Sequence, residues 1–284
     1  MSKVCWQVVN ERIVKYGGVM SRVIVVTSGK GGVGKTTVCA YLGLNLAKKN
    51  YRVCVVDMDI GLNNLDVVLG MENRVLYSMQ DVLDSKCRLR QALVQDSAYP
   101  LLYLLSSGNV AHNLSIRPEY IKAVISDLKT MFDYILIDCP AGIDAGFNRA
   151  VICAEEAIVV TTPHLSSIRD ADKVVTILST YNLASIKFVV NRARGDLIID
   201  KLMLNVYDIS KALKVEFGGV IPDDDNVVIG QIKNVNRLDC KLPSHKAFLI
   251  LSDNIETGSK KLYDCTYKYK GVMGSMRKFF KRKI

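Results

Sequence analysis

Residues Gly29–Thr37 read Gly-Lys-Gly-Gly-Val-Gly-Lys-Thr-Thr. From Gly29 the stretch satisfies Gly, four residues, Gly-Lys-Thr, which is the phosphate-loop spacing. Glycines at Gly29, Gly31, Gly32 and Gly34, with Val33 among them, free the backbone to turn N–H groups inward around phosphate oxygens. Lys35 can then reach the β- and γ-phosphates, and the hydroxyl of Thr36, followed by Thr37, can ligate Mg²⁺. Lys30 is surplus to that task, and a lysine at this place in the loop points to one branch of nucleotide switches. Gly29, Gly31 and Gly34 also fit the Gly-x-Gly-x-x-Gly dinucleotide fingerprint, with Asp57 and Asp59 near the position of its acidic partner. That reading leaves Lys35 and Thr36 without a role, whereas a triphosphate with Mg²⁺ uses both.

Such a loop needs an acid beside it. Tyr134-Ile-Leu-Ile-Asp138 is an apolar run ending in a carboxylate, the arrangement of a Walker-B aspartate that holds Mg²⁺. Cys139 follows instead of glutamate, so no adjacent base is supplied and water must be oriented by another group. Val55-Val-Asp57-Met-Asp59 offers two carboxylates two residues apart. They point the same way if the strand continues, one towards the Mg²⁺ shell and the other towards the attacking water. Asp66 reads as a solvated or capping acid.

The elements that must position these residues alternate. Arg22–Thr27, Val53–Asp57, Leu102–Leu105, Tyr134–Asp138, Ala157–Thr161 and Ile186–Val190 are β-branched, apolar runs without polar alternation, as expected of parallel strands covered on both faces. Thr36–Lys49, Pro118–Met131, Ser167–Tyr181 and Ile209–Leu213 read as helices, and Pro118 suits a first helical turn. This order predicts a single α/β P-loop NTPase domain with a mostly parallel, doubly wound sheet. Ligands then bind at the carboxyl ends of the strands, where the candidate residues fall. Residues 1–19 precede a second methionine, Met20. Trp6, Val9, Ile13 and Tyr16 have helical spacing, consistent with a short amphipathic helix, with a dispensable extension, or with translation starting at Met20.

Composition narrows the function classes. The 284 residues are 49% hydrophobic, enough for one packed core, yet no apolar run approaches the ~18 residues a membrane span needs. Glu11, Arg12 and Lys15 interrupt any secretory signal. The eight cysteines form no Cys-x-x-Cys pair, and the three histidines are dispersed, so zinc and dithiol chemistry is not expected. Residues 260–284 hold nine Lys/Arg against Asp264 alone, a net +8 of the chain's +10. A general nucleic-acid surface would spread its charge over the body.

Four segments together carry a family resemblance: Gly29–Thr37; Asp57-Met-Asp-Ile-Gly-Leu-Asn-Asn-Leu-Asp66; Ile137-Asp-Cys-Pro-Ala-Gly-Ile143; and Ser166-Ser-Ile-Arg-Asp-Ala-Asp172. The chain resembles the MinD family of deviant Walker-A ATPases, relatives of the ParA partition ATPases and the flagellar-number regulators. The likeness runs from about Met20 to Ile221 and resumes at the extreme C-terminus. It implies an ATP- and Mg²⁺-dependent ATPase, slow and partner-stimulated, that dimerises when ATP-bound. Lys30 would reach the partner protomer's phosphates, Lys35 would serve its own nucleotide, and Asp59 would position the water. Thr36, Asp57 and Asp138 would surround Mg²⁺. Asn191, Arg192, Pro222 and Asp223 match the family's adenine-side segments, and Asp170 lies on its partner-binding helix. The implied partners are a MinC-like division inhibitor and a MinE-like or other topological activator. Departures are residues 1–19, His164 where the family usually has glutamate, and Gln231–Asp239, which lacks the family's Gly-x-Pro loop.

Drawn as a helix, residues 271–284 gather Val272, Met273, Met276, Phe279, Phe280 and Ile284 on one face. Arg277, Lys278, Lys281 and Arg282 take the other, and Lys283 breaks the pattern. That pattern suits the surface of an anionic membrane. The expected organisation is an extension (1–19), an ATPase domain (20–259), a basic linker (260–270) and a membrane-targeting helix (271–284). The expected function is septum positioning, the ATP-bound dimer sitting on the cytoplasmic face of the inner membrane and the ADP form in the cytoplasm. A DNA-partition ATPase or a flagellar-number regulator is the alternative. Phe279 and Phe280 weigh against nucleic acid as the partner, because phosphate contacts need no apolar face.

Overall fold

The computed structural model describes residues 21–59, 64–108, 117–233 (231–233 by backbone alone), 242–271 and 274, with the backbone of 8–9 and 12–13. β1 (Val8–Val9) pairs antiparallel with β2 (Arg12–Ile13), so these four residues form a small ladder rather than the amphipathic helix that the spacing of apolar residues suggests. The strands of the body are β3 (Arg22–Thr27), β4 (Val53–Asp57), β5 (Leu93–Gln95), β6 (Leu102–Leu105), β7 (Tyr134–Asp138), β8 (Glu156–Thr161), β9 (Ser185–Ala193) and β10 (Glu216–Pro222). They form one sheet in the order β10-β9-β8-β3-β7-β4-β6-β5. Every neighbouring pair is parallel except β5–β6. The single α/β domain expected from the alternating runs is the architecture observed.

The helices are α1 (Lys35–Lys48), α2 (Asn64–Leu69), α3 (Met79–Leu83), α4 (Leu89–Ala92), α5 (Pro118–Lys129), α6 (Ala145–Val151), α7 (Leu165–Leu178), α8 (Gly195–Ile199), α9 (Val206–Leu213), α10 (Asp225–Lys233) and α11 (Pro243–Thr257). They cover both faces of the sheet. Along β3, Val23 and Val25 belong to one buried cluster, with Ile125 of α5 and Val174 of α7. Ile24 and Val26 belong to the other, with Leu42 of α1 and Phe248 of α11. A central strand with no polar face is the direct consequence. Pro118 opens α5, where its missing N–H costs nothing.

The second face is closed by α11, which the sequence pattern does not reveal. Its Phe248 ring stacks on Tyr41 of α1 at 4.7 Å, within the range of favourable aromatic pairs. Lys49, at the end of α1, is paired with Asp253 and, at 2.7 Å, with Glu256. Glu256 also accepts from the Tyr51 hydroxyl at 2.7 Å. The terminal helix 271–284 lies outside the described residues apart from Gly271 and Gly274, and with it Val272, Met273, Met276, Arg277, Lys278, Phe279, Phe280, Lys281, Arg282 and Ile284. So do Ile60–Asn63, His112 and most of Gln231–Asp239.

At the amino ends of the strands, Arg22 makes a bidentate pair with Glu156, at 2.6 and 2.8 Å. Its guanidinium also donates to the Ile255 carbonyl at 2.7 Å, so one side chain joins β3, β8 and α11. The two partners are only 28% and 15% exposed, which places the pair between a surface bridge and a buried one. Arg22→Met should cost about 2 kcal/mol, read as a lower urea midpoint at unchanged slope. A loss under about 0.5 kcal/mol would mean that this junction adds no more than a surface ion pair.

Candidate nucleotide site

The phosphate loop leaves β3 at Ser28, whose hydroxyl donates to the Lys30 carbonyl at 2.9 Å. Gly34 caps α1 in the left-handed region, at φ +92°, where an L side chain is strained. A methyl group there would also collide with Asn191 Nδ2. That nitrogen donates to the Val33 carbonyl at 2.8 Å, so the end of β9 buttresses the loop. No side chain caps the start of α1 and no acid occupies its first turn. The first-turn amides and the helix dipole therefore favour an anion. Lys35 is buried, Thr36 and Thr37 are half-buried, and Lys30, Gly31 and Gly32 are exposed. Lys30 thus stands outside its own loop, facing solvent. The Asp170 backbone on α7 packs directly against Gly29, leaving no space for a side chain. The Asp170 carboxylate turns to Lys173 at 3.4 Å. His164 is exposed immediately before α7.

The sheet register sets the acids. Asp57 and Asp138 are Cα partners at the carboxyl ends of β4 and β7, and Asp138 is two strand positions from the loop through its pairing with Val26. β4 ends at Asp57, so the continued strand that would align Asp57 with Asp59 is not formed. Asp59 follows in a bend, half-buried, and its amide donates to Asp57 Oδ1 at 2.9 Å. Leu65 N donates to Asp57 Oδ2 at 3.2 Å. Asp57 therefore ties the amides of Asp59 and Leu65 to one carboxylate. Asp138, 1% exposed, is different: neither oxygen reaches a partner at hydrogen-bond geometry. Burial pushes its carboxyl up to about 6, opposed by the Lys35 charge and the Thr36 hydroxyl. Burial, then the Asp138 charge, pushes Asp57 up to about 7. Among the described residues no three of His, Cys, Asp or Glu converge as a metal cluster. One orphaned carboxylate, a neighbouring acid and a hydroxyl instead suit Mg²⁺, which takes few protein ligands and shares the rest with phosphates and water. Asp66 accepts from the next amide, Val67 N, at 2.7 Å in the first turn of α2.

On the far side of Asn191, β9 and β10 stay paired to their ends, where Ala193 faces Pro222. Arg192 is exposed in the left-handed region, at φ 56°. Pro222 and Asp223 line a cavity of about 720 Å³ with Ala193 and Gly195, and the Asp223 amide is fixed on the Ala193 carbonyl at 3.0 Å. Arg194, also on this cavity, pairs at 2.7 Å with Asp196, whose side chain is fully buried. The opposite wall comes from Tyr263–Cys265 and Tyr267–Tyr269, inside the stretch expected to be a linker. The tyrosines interleaved with its lysines are the one signal in the sequence that this stretch packs. Of the four adenine-side candidates, then, Pro222 and Asp223 share a cavity, Asn191 serves the loop, and Arg192 faces solvent. Among the described residues no helix is long and apolar enough to cross a membrane.

Comparison with known proteins places this geometry. The family model described as ParA, NUBPL iron-transfer P-loop NTPase, matches residues 19–195. The septum site-determining protein MinD of Bacillus subtilis is 41% identical over 268 residues, 92% of this chain and 98% of that protein. Among solved structures, MinD in the MinC:MinD cell division complex of Aquifex aeolicus superposes with TM-score 0.80 at 38% identity, covering 85% of this chain and 98% of that one. MinD of Pyrococcus horikoshii, complexed with Mg-ADP, gives TM-score 0.75 at 31% identity, covering 84% and 97%. The likeness therefore extends through the loop, both acids and the far edge of the sheet, and the chain belongs to the MinD family of P-loop NTPases.

Proposed function

We propose that this chain is an ATPase that uses ATP and Mg²⁺ to switch between a cytoplasmic form and a membrane-bound dimer, and that it positions the division septum. The observation that carries the reading is the phosphate loop itself: Lys35 buried against an orphaned Asp138 on the inside, and Lys30 exposed on the outside. Lys35, Thr36 and the loop amides would hold the phosphates, and Thr36, Asp138 and Asp57 would hold Mg²⁺. Bound there, Mg²⁺ would neutralise charge on the β- and γ-phosphates. Asp59, half-buried at the mouth of the site, would orient water. Lys30, free to extend from the loop, would reach the partner protomer's phosphates in an ATP-bound dimer, acting in trans as an arginine finger does. The MinC partner of the Aquifex aeolicus relative supports recruitment of a MinC-like division inhibitor, with Asp170 on the partner surface. A MinE-like or other topological activator would speed a slow hydrolysis and so release the dimer.

The helix 271–284 would supply the membrane output. About fourteen residues are marginal as an isolated helix in water, so ordering accompanies insertion. One weak anchor binds reversibly, and two on one dimer gain from effective concentration.

Three measurements test this. Pelleting with anionic liposomes should require ATP rather than ADP and vanish for the chain truncated after Lys270. Pelleting that ignores the nucleotide would sink the switch, and ATP-dependent DNA binding in its place would favour a partition ATPase. Lys30→Ala should retain ATP binding by equilibrium dialysis yet lose about tenfold or more of its hydrolysis. Unchanged hydrolysis would remove Lys30 from the reaction. The third concerns pH. Asp57 and Asp138 bind protons more tightly folded than unfolded, so their cost is absent well below pH 3.8, where both states are protonated, grows as pH rises past it, and is complete above about pH 7. The metal-free protein should therefore melt at progressively lower temperature from about pH 4 to about pH 7. Asp138→Asn should flatten that slope, and Mg-ATP should offset it in the native protein. A slope untouched by Asp138→Asn would mean that these carboxylates are not strained.

A further inference from the structure

Lys30 is exposed, and among the described residues no acid pairs with its ammonium group. The direction in which it extends is therefore set by the backbone that carries it. That backbone is a short arch between two clamps. At one end the Asp170 backbone fills the space beside Gly29. At the other, Asn191 Nδ2 donates to the Val33 carbonyl at 2.8 Å. Between the clamps, a methyl group on Gly31 or Gly32 would meet nothing within 4 Å, and Gly32 lies in the left-handed region, at φ +75°. The crown of the arch is unpacked on its outer side, and glycine backbone without neighbours has wide freedom.

One side chain holds the arch from inside. Ser28, fully buried, donates its hydroxyl to the Lys30 carbonyl at 2.9 Å. A hydroxyl buried this deeply needs a partner. A bond to the carbonyl two residues on fixes the plane of the peptide that joins Lys30 to Gly31. The main chain of Ser28 is held as well: its carbonyl accepts from the Gly142 amide at 3.2 Å. Gly142 is in the left-handed region, at φ +95°. Three residues earlier, Cys139 N donates to the Val26 carbonyl at 3.1 Å. The segment that follows Asp138 is thus laid along the end of β3 and the root of the loop. Ser28 joins that segment, through its carbonyl, to Lys30, through its hydroxyl.

We propose that Ser28 is a positioning residue for hydrolysis: its hydroxyl fixes the backbone of Lys30 so that the ammonium group reaches the partner protomer's phosphates. The inference rests on the trans role proposed for Lys30 above. It gives Ser28 a task that the phosphate-loop pattern, which begins at Gly29, does not contain. A lysine carries its charge on a long, flexible stem, and a mobile backbone beneath it would spread that charge over more positions. Misplacing a group that stabilises charge in the transition state costs rate rather than affinity. The groups proposed to hold the protomer's own phosphates are Lys35, Thr36 and the loop amides, and the Ser28 hydroxyl is not among them. Its removal should therefore spare nucleotide binding and lower turnover.

A double-mutant cycle on the full chain, with anionic liposomes present, tests this. Ser28→Ala should keep Mg-ATP binding by equilibrium dialysis within about twofold and lose about fivefold or more in kcat. Lys30→Ala lacks the ammonium group that Ser28 would place, so adding Ser28→Ala to it should cause no further loss. Ser28→Cys keeps the volume and donates only weakly; it serves where Ser28→Ala fails to fold, and should show the same split. The proposal is overturned if Ser28→Ala turns over like the native chain, if ATP binding falls as far as kcat does, or if the two losses multiply in the double variant. If Lys30→Ala hydrolyses at the native rate, the trans role and this inference fall together. If Lys30→Ala alone is impaired, the trans role stands and this inference falls.

Discussion

Two carboxylates buried side by side beneath a phosphate loop are the constraint on which the rest of the structure depends. The parallel register of β4 and β7 makes Asp57 and Asp138 neighbours in a site that water does not reach. Like charges in such a place disfavour ionisation unless a cation or donors compensate. The backbone donates hydrogen bonds to only one of them, while Asp138 has the Lys35 charge beside it. Asp57 takes two backbone amides, those of Asp59 and Leu65. Asp138 is left with its oxygens unmatched beside buried Lys35. Buried polar groups without partners are rare in folded proteins and call for an explanation. A site that is incomplete without its cation binds it with the free energy that the empty site gives up.

The scaffold that holds this tension was legible where residues repeat simple physics. β3, β4, β7 and β8 are buried on both faces and read as unbroken apolar runs. The phosphate loop and the strand-end Asp138 could be named because their residue types follow from phosphate and metal chemistry. Legibility failed where polar residues are buried. α11 encloses Ser244, His245, Ser252 and Asn254, so its pattern does not look amphipathic although it closes a whole face of the core. β10 contains Gly218-Gly219 and ends at Pro222, which are weak strand formers. It persists because the neighbouring strand and α11 supply the packing that its own side chains lack. β9 continues past Val190 through Asn191 and Arg192 for a related reason: Ala193 pairs with Pro222 across the ladder.

The direction of Asn191 shows how tertiary context overrides a local reading. As a polar residue at a strand end it suggests a ligand contact, and its sequence neighbours suggest the base. In the folded chain its amide holds the Val33 carbonyl, and the close approach to Gly34 excludes any larger residue there. The strand end thus acts on the phosphates through the loop. One step outward, Ala193, Pro222 and Asp223 line the neighbouring cavity. The one sequence feature on the opposite wall is the spacing of tyrosines among lysines from Tyr263 to Lys270. Charge hides it: a basic stretch reads as solvated, while Cys265 and Tyr263 are partly buried.

A wall built from the segment that precedes the tail bears on how a weak membrane anchor is used. A short basic helix gains from a second copy only when both copies are held on one side of one body. A loose linker spreads the helix over many positions and lowers its effective concentration at the surface, in the way that any long flexible tether does. Asn254, Glu216 and Gly195 restrict that freedom as far as Tyr269. The chain that leads into residues 271–284 is therefore held near the nucleotide end of the sheet as far as Tyr269. Lys30, which would face the second protomer, stands at that same end on the exposed side of the loop. A dimer closed through that end would carry its two anchors close to its own interface, where they can engage one membrane together. On the proposed function, anchor placement would follow from ordinary packing at the edge strand, and dimerisation would convert two marginal anchors into one strong one.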